Sequence, residues 1–414
     1  MKTIPILAFL IVAATANADT IELANGNKVE GKVLENNAEA KTLTVEFSLA
    51  GTLTKRTVPY SALKALTVNG TRTDLNAPAA AVAATARTPA EVQALIDKTG
   101  STEPDWLKST KLSYPKSLDL SWAAQPPGKW DNQKYVGQFL WDIINPNTGR
   151  WQEGIKFVLH VLEVNEKKNN AEIIERATKE IANMHFRFFQ DYARAAWWWQ
   201  KAGVTMDDAA GVHLAECYWR LGSKQMALDM LTKAQALDVE AIKLFGDMGE
   251  TDQAVELAKN FDHYEAWMLA GDACRLAGRI PEAKTYFEKV LNTPDAGARP
   301  VHLKHTKGRA QANLEALTLY ELADVSKVAD GTYKDSSLGY EGQVEVRIKV
   351  SGKKIEDVKI TQHKEKQYYS SMRDVPDQII AKKGVKGVDA TSRATITSEA
   401  IINAVAKALA QGTK

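Results

Sequence analysis

Residues 387–398 read GVDATSRATITS, and residues 399–409 continue as EAIINAVAKAL. The second stretch is amphipathic at helical spacing, with Ala400, Ile401, Ala404, Val405, Ala408 and Leu409 on one stripe. It predicts a helix over 399–410. The first stretch is a loop crowded with hydroxyls: Thr391, Ser392, Thr395, Thr397 and Ser398. A helix start needs one such side chain as its N-cap. The surplus needs another purpose.

Working outward, residues 325–414 read as a compact α+β module. In GQVEVRIKV, Val344, Val346, Ile348 and Val350 fall on one strand face. Ser351-Gly352 turns the chain, and Val358 and Ile360 alternate in the returning strand, which makes a hairpin. A polar stretch with Pro376 follows, then a short helix around 377–382.

This module carries Asp330-Gly331-Thr332-Tyr333, then Gly339-Tyr340-Glu341-Gly342, then His363-Lys364-Glu365. It closes with Asp389, Ser392, Ala394, Thr395, Thr397 and Ser398. In that order and over about ninety residues, the pattern resembles the FMN-binding domain. That family occurs in flavin subunits of sodium-pumping and related membrane electron-transfer complexes, and in exported reductases. The resemblance implies FMN as cofactor, bound by Thr395, Ser392, Ala394, Asp389, Arg393, Thr397, Ser398, His363 and Glu365. It further implies a phosphoester between FMN and the threonine at 395, installed by a separate flavin transferase. The chemistry of the stretch agrees. A phosphate there lies within a turn of a helix start, where free N–H groups and the positive dipole end favour an anion. Thr391, Ser392, Thr397 and Ser398 are then expected to cap the helix and donate to phosphate oxygens. Two positions depart from the family. Its glycine before Ala-Thr is Arg393 here, at a cost of order 1 kcal/mol if the backbone is left-handed, although a guanidinium can pair with phosphate. After Glu365 the chain has Lys366-Gln367-Tyr368-Tyr369, where a tyrosine can stack on the flavin ring.

Residues 105–324 read as helical. LGSKQMALDM, MGETDQAVEL and AGRIPEAKTY each place an alanine five residues after a glycine: Gly222 and Ala227, Gly249 and Ala254, Gly278 and Ala283. The last unit, with Trp267, Gly271, Ala283, Phe287 and Pro294 in step, resembles the tetratricopeptide repeat and implies an all-α solenoid of stacked helix pairs. The aromatics between Phe186 and Trp199 suit either helix packing or a binding surface. His302 and His305 share a helix face without a third ligand in the vicinity, too few for a metal site. Cys217 and Cys274 fall within helical patterns, as small buried apolar residues or as one disulfide.

At the other end, residues 1–18 have a lysine, an apolar run and Ala16-Asn17-Ala18, the form of a signal peptide cut before Asp19. Residues 19–72 alternate in period two, with a hairpin signal at Asn25-Gly26 and with Val45 and Phe47 on one face. They predict a small all-β, SH3-like barrel. Residues 73–104, rich in alanine and proline, read as a linker. The 53 Lys+Arg and 51 Asp+Glu nearly cancel, so charge gives no case for nucleic acid or an anionic membrane surface. No stretch after the apolar start is long enough to span a bilayer.

The whole therefore reads as an exported, periplasmic or extracellular multidomain flavoprotein. No acid–base–nucleophile cluster is legible, so an electron carrier is expected rather than a self-contained enzyme. Its redox partner docks on the helical repeats. The alternative is a non-redox scaffold with an empty, degenerate FMN domain.

Overall fold

The computed structural model describes residues 19–23, 28–37, 42–49, 52–59, 63–68, 71–74, 86–122, 128–295, 300–366 and 368–413. The chain divides into two units, residues 1–80 and 81–414.

The first unit is a β-sheet region. Its strands are β1 (Asp19–Leu23), β2 (Lys28–Asn37), β3 (Thr42–Leu49), β4 (Thr52–Pro59), β5 (Leu63–Val68) and β6 (Thr71–Asp74). They lie in the order β4-β3-β2-β1-β5-β6, with antiparallel neighbours. Alternation sends Leu43 and Val45 inward with Ile21, Leu63 and Leu66, and Phe47 packs against them. Asn25-Gly26 and the expected signal peptide lie outside the described residues. On either side of that dipeptide, Glu22 pairs with Lys28.

The second unit opens with α1 (Pro89–Gly100), inside the stretch that composition assigns to a linker. Thr88 and Glu91 form a reciprocal capping box, and Val92 and Ile96 are fully buried. The linker expected over 73–104 therefore stops short of Thr88. Its alanines masked a helix whose two apolar residues sit four apart, on one face. The short α2 (Trp106–Ser109) and α3 (Val136–Phe139) lead to α4 (Trp151–Glu166), α5 (Ala171–Met184), α6 (Tyr192–Lys201), α7 (Gly211–Arg220) and α8 (Lys224–Thr232). The helical part continues with α9 (Glu240–Asp247), α10 (Thr251–Phe261), α11 (Tyr264–Leu276), α12 (Ile280–Leu291) and α13 (Pro300–Leu319).

Three helical hairpins, α7/α8, α9/α10 and α11/α12, turn on the repeated glycines. Gly222, Gly249 and Gly278 have φ of 109°, 79° and 74°, the left-handed conformation that ends a helix and that side chains disfavour. The partner alanines Ala227, Ala254 and Ala283 are fully buried where the helices meet. At Gly271 a Cβ would come within 2.5 Å of the Phe287 ring, so glycine lets α11 and α12 close on that aromatic. Among the aromatics, Phe186, Phe188 and Trp199 are core, while Trp197 and Trp198 are half-buried. Cys217 and Cys274 are free and buried.

The C-terminal α+β region has a sheet in the order β7-β8-β9, antiparallel, from Gly331–Leu338, Gln343–Ser351 and Lys354–Gln362. Val344, Val346, Ile348 and Val350 face inward as expected. Two helices pack there, α14 (Ser371–Lys382) and α15 (Thr395–Gln411). Both start earlier than their sequence suggests. Pro376 lies inside α14, where it lacks an N–H and disfavours helix at the residue before it. Burial of Val375, Pro376 and Ile379 outweighs that propensity. The domain boundary expected at 324/325 is not a boundary in packing. Met268, Phe287, Ala310 and Leu317 share one apolar cluster with the sheet and α15. Among the described residues, no helix is long and apolar enough to cross a membrane.

Candidate cofactor site

The loop from Gly387 to Ala394 ends where α15 begins, and Ala394 is the N-cap residue, without a side-chain cap. The first turn of a helix leaves N–H groups without helical partners, so this uncapped end suits an anion.

The hydroxyls divide sharply. Thr391 donates to Asp374 (2.6 Å) and Ser392 to Glu216 (2.9 Å). Thr397 donates to Glu365 (2.5 Å), and Ser398 to the Ala394 carbonyl while accepting from Thr391 N–H. All four are buried. Each donates its proton to a protein acceptor, and together they hold the loop's shape. Thr395 is the exception. It is half-buried and makes no side-chain hydrogen bond among the described residues.

Arg393 adopts the left-handed conformation that favours glycine, with φ of 68°. Its guanidinium is exposed and lies 3.5 Å from Glu240, which in turn lies 3.1 Å from His213. Asp389 sits in a buried ion cluster. Arg220 contacts one of its oxygens at 2.5 Å and Lys243 the other at 3.3 Å. Lys243 also binds Asp247, and Arg220 also binds Glu216. Burial alone would raise the Asp389 pKa, but Lys243 and Arg220 hold it well below the usual carboxylate range. Asp247 goes the other way: burial, then the Asp389 charge, push it well up. The opposite shifts make Asp247 the carboxyl of this pair that more readily holds a proton.

Glu365 is a brace. It accepts from the N–H groups of Tyr340 (3.1 Å) and Glu341 (2.9 Å), besides Thr397, and so ties the β7–β8 turn to the first turn of α15. His363 is exposed, its ring 5.2 Å from Tyr368, edge to face. Tyr368 donates to the Pro146 carbonyl (3.1 Å). Tyr369 is buried against Phe188 and beneath the Arg187 guanidinium, so only Tyr368 of the pair retains exposed surface. His302 and His305 go separate ways, to Glu265 and Tyr264 and to the Gly339 carbonyl.

Of the expected site residues, Asp389, Ser392, Arg393 and Ala394 lie in one loop and Thr395, Thr397 and Ser398 in the first turn of α15 that follows it, with Glu365 bound to Thr397. His363 lies beyond, beside Tyr368. The sequence did not point to Glu216, Arg220, Glu240, Lys243 and Arg275, which reach this loop from the helical part. No local motif announces them.

A free hydroxyl on an uncapped helix N-terminus, in a braced α+β domain, defines a module that suits a phosphate-bearing cofactor. Residues 339–410 match the family model of the FMN-binding domain. The protein is thus a flavin-binding one, with FMN as its cofactor. The chain is also 32% identical, over 111 residues, to an uncharacterized protein of Treponema pallidum (strain Nichols). That stretch is 26% of this chain and 30% of the relative, so less than a third of the relative is spanned. No solved structure matches.

Proposed function

We propose that this chain is an exported flavoprotein carrying FMN esterified to Thr395, and that it passes electrons to a protein partner. The observation that supports attachment is the state of the Thr395 hydroxyl. Its four neighbours are spoken for, while it stands without a hydrogen-bond partner among the described residues, at an uncapped helix start. In this reading the α15 terminus and Arg393 meet the phosphate charge, and Tyr368 and His363 flank the ring. When bound, FMN supplies reversible transfer of one or two electrons. Condensing a phosphate with an alcohol needs an activated donor. A transferase therefore brings the flavin phosphate as an anhydride, and the Thr395 oxygen displaces the anhydride's leaving group as its proton departs. The proposal extends to the fold of the other parts: an SH3-like barrel at 19–72 and tetratricopeptide-like stacking of the helical hairpins.

The test is a denaturing gel viewed under ultraviolet light, after co-expression with a flavin transferase. Native protein is expected to fluoresce, and Thr395→Val, which keeps the shape and loses the hydroxyl, is expected to be dark. Arg393→Gly, which restores the family residue, is expected to label at least as well. Release of all flavin on denaturation overturns covalency, and equal fluorescence in Thr395→Val overturns the acceptor. Protein that is colourless before denaturation returns the scaffold reading. Export is checked separately by a mature N-terminus at Asp19.

A further inference from the structure

Helices α7, α9 and α11 each send a side chain to the same loop, and α13 reaches the helix that follows it. From α7, Glu216 accepts from Ser392 (2.9 Å) and Arg220 contacts Asp389 (2.5 Å). From α9, Lys243 reaches Asp389 (3.3 Å) and Glu240 reaches Arg393 (3.5 Å). From α11, the buried Arg275 donates to the Val388 carbonyl (3.0 Å) while Asp272 holds its other side (2.7 Å). From α13, Arg309 makes two hydrogen bonds to Glu399 (3.1 and 2.7 Å), and Asn313 accepts from Asn403. The residues from α7, α9 and α11 meet positions 388–393, and those from α13 meet α15.

We infer that this face of the helical array is a receptor for the protein's own flavin loop, and that Glu216, Arg220 and Lys243 are positioning residues for the cofactor. A helical repeat surface expected to recruit a partner is here occupied in cis. The chemistry is specific. Asp389 has a cation on each oxygen, and the Ser392 hydroxyl has a carboxylate. The charge-assisted bonds are buried, where they are strongest and where loss of one partner is most costly. They set the loop in place before any ligand arrives, so the Thr395 hydroxyl is presented by a preformed structure.

This inference rests on the flavin reading for its purpose, but its test does not. Hydrogen exchange is measured on the full chain without flavin, for segments 387–398, 151–166 (α4) and 343–351 (β8). Arg220→Gln is expected to speed exchange in 387–398 about tenfold or more, the effect of one charge-assisted hydrogen bond lost. The other two segments are expected to change less than about twofold, and Arg220→Lys to recover most of the protection. Unchanged exchange in 387–398 overturns the inference. So does a uniform rise in all three segments, which makes Arg220 a general stability residue. If Arg220→Gln yields no soluble protein, Ser392→Ala removes the Glu216 bond from the loop side, and the same contrast decides. A positive result with protein that never binds FMN keeps the receptor and discards the flavin reading. The reverse result discards only the receptor.

Discussion

Asp389 and Asp247 are expected to substitute for one another. The buried cluster has three carboxyls, on Glu216, Asp247 and Asp389, facing Arg220 and Lys243. Lys243 and Arg220 favour the ionised form of Asp389, while burial and the Asp389 charge disfavour that of Asp247. Asp389→Asn removes that charge, so Asp247 is free to ionise and restore the balance. The cost is then one charge-assisted hydrogen bond, about 1.5–3 kcal/mol. Asp247→Asn removes the carboxyl that more readily holds a proton and is expected to cost about 1 kcal/mol. The double variant has no such recourse. It leaves a buried cation without its anion, a situation that costs about 3–5 kcal/mol by itself. The expected coupling is therefore unfavourable by about 2 kcal/mol or more, well beyond the few tenths typical of independent sites. The assay is urea unfolding at pH 7 followed by tryptophan fluorescence. Every tryptophan lies between Trp106 and Trp267, so the signal reports on the second unit alone. Additivity within about 0.5 kcal/mol refutes the shared proton.

Two further predictions are independent of that cluster. Burial raises Asp377 from 3.8 to about 6, and one of its oxygens is buried without a hydrogen-bond partner among the described residues. The native state then binds more protons than the unfolded chain between those values, so stability falls as pH rises through the window, by less than the full ~1.4 kcal/mol per unit because the group is partly exposed. Asp377→Asn is expected to flatten that fall and raise the melting temperature at pH 7; an unchanged pH profile speaks against it. Gly271→Ala places a methyl against the Phe287 ring and is expected to cost about 1–3 kcal/mol by overpacking. An unchanged melting curve rules out the close α11–α12 contact.

How legible was this in the sequence? Period and punctuation carried the local structure. The four alternating residues of β8 are all buried, and the three repeat glycines all adopt the left-handed turn. These features depend on a residue and its immediate neighbours. The errors have the same origin. Thr-Ile-Thr-Ser at 395–398 looks like a loop because such side chains compete with the helix backbone for hydrogen bonds. Thr397 instead spends its hydroxyl on Glu365, which releases the backbone to form the first turn of α15. Pro376 likewise looks like a helix boundary until the burial of its neighbours is known.

The division of labour among the hydroxyls could not be read locally, because the deciding partners are far away in the chain. Ser392 is settled by Glu216, 176 positions earlier, and Asp389 by Arg220, 169 positions earlier. Sequence spacing shows that five hydroxyls are crowded together; only the fold shows which of them already have work. That changes the argument for Thr395. Its position in a family pattern makes it a candidate, but the same pattern also selects Ser392 and Thr397. What separates it is that the helical part and Glu365 satisfy the others and leave this one at the helix start. A buried polar group is normally paired, and a half-buried hydroxyl without a partner among the described residues, at an uncapped helix start, is the place where an additional negative group costs least.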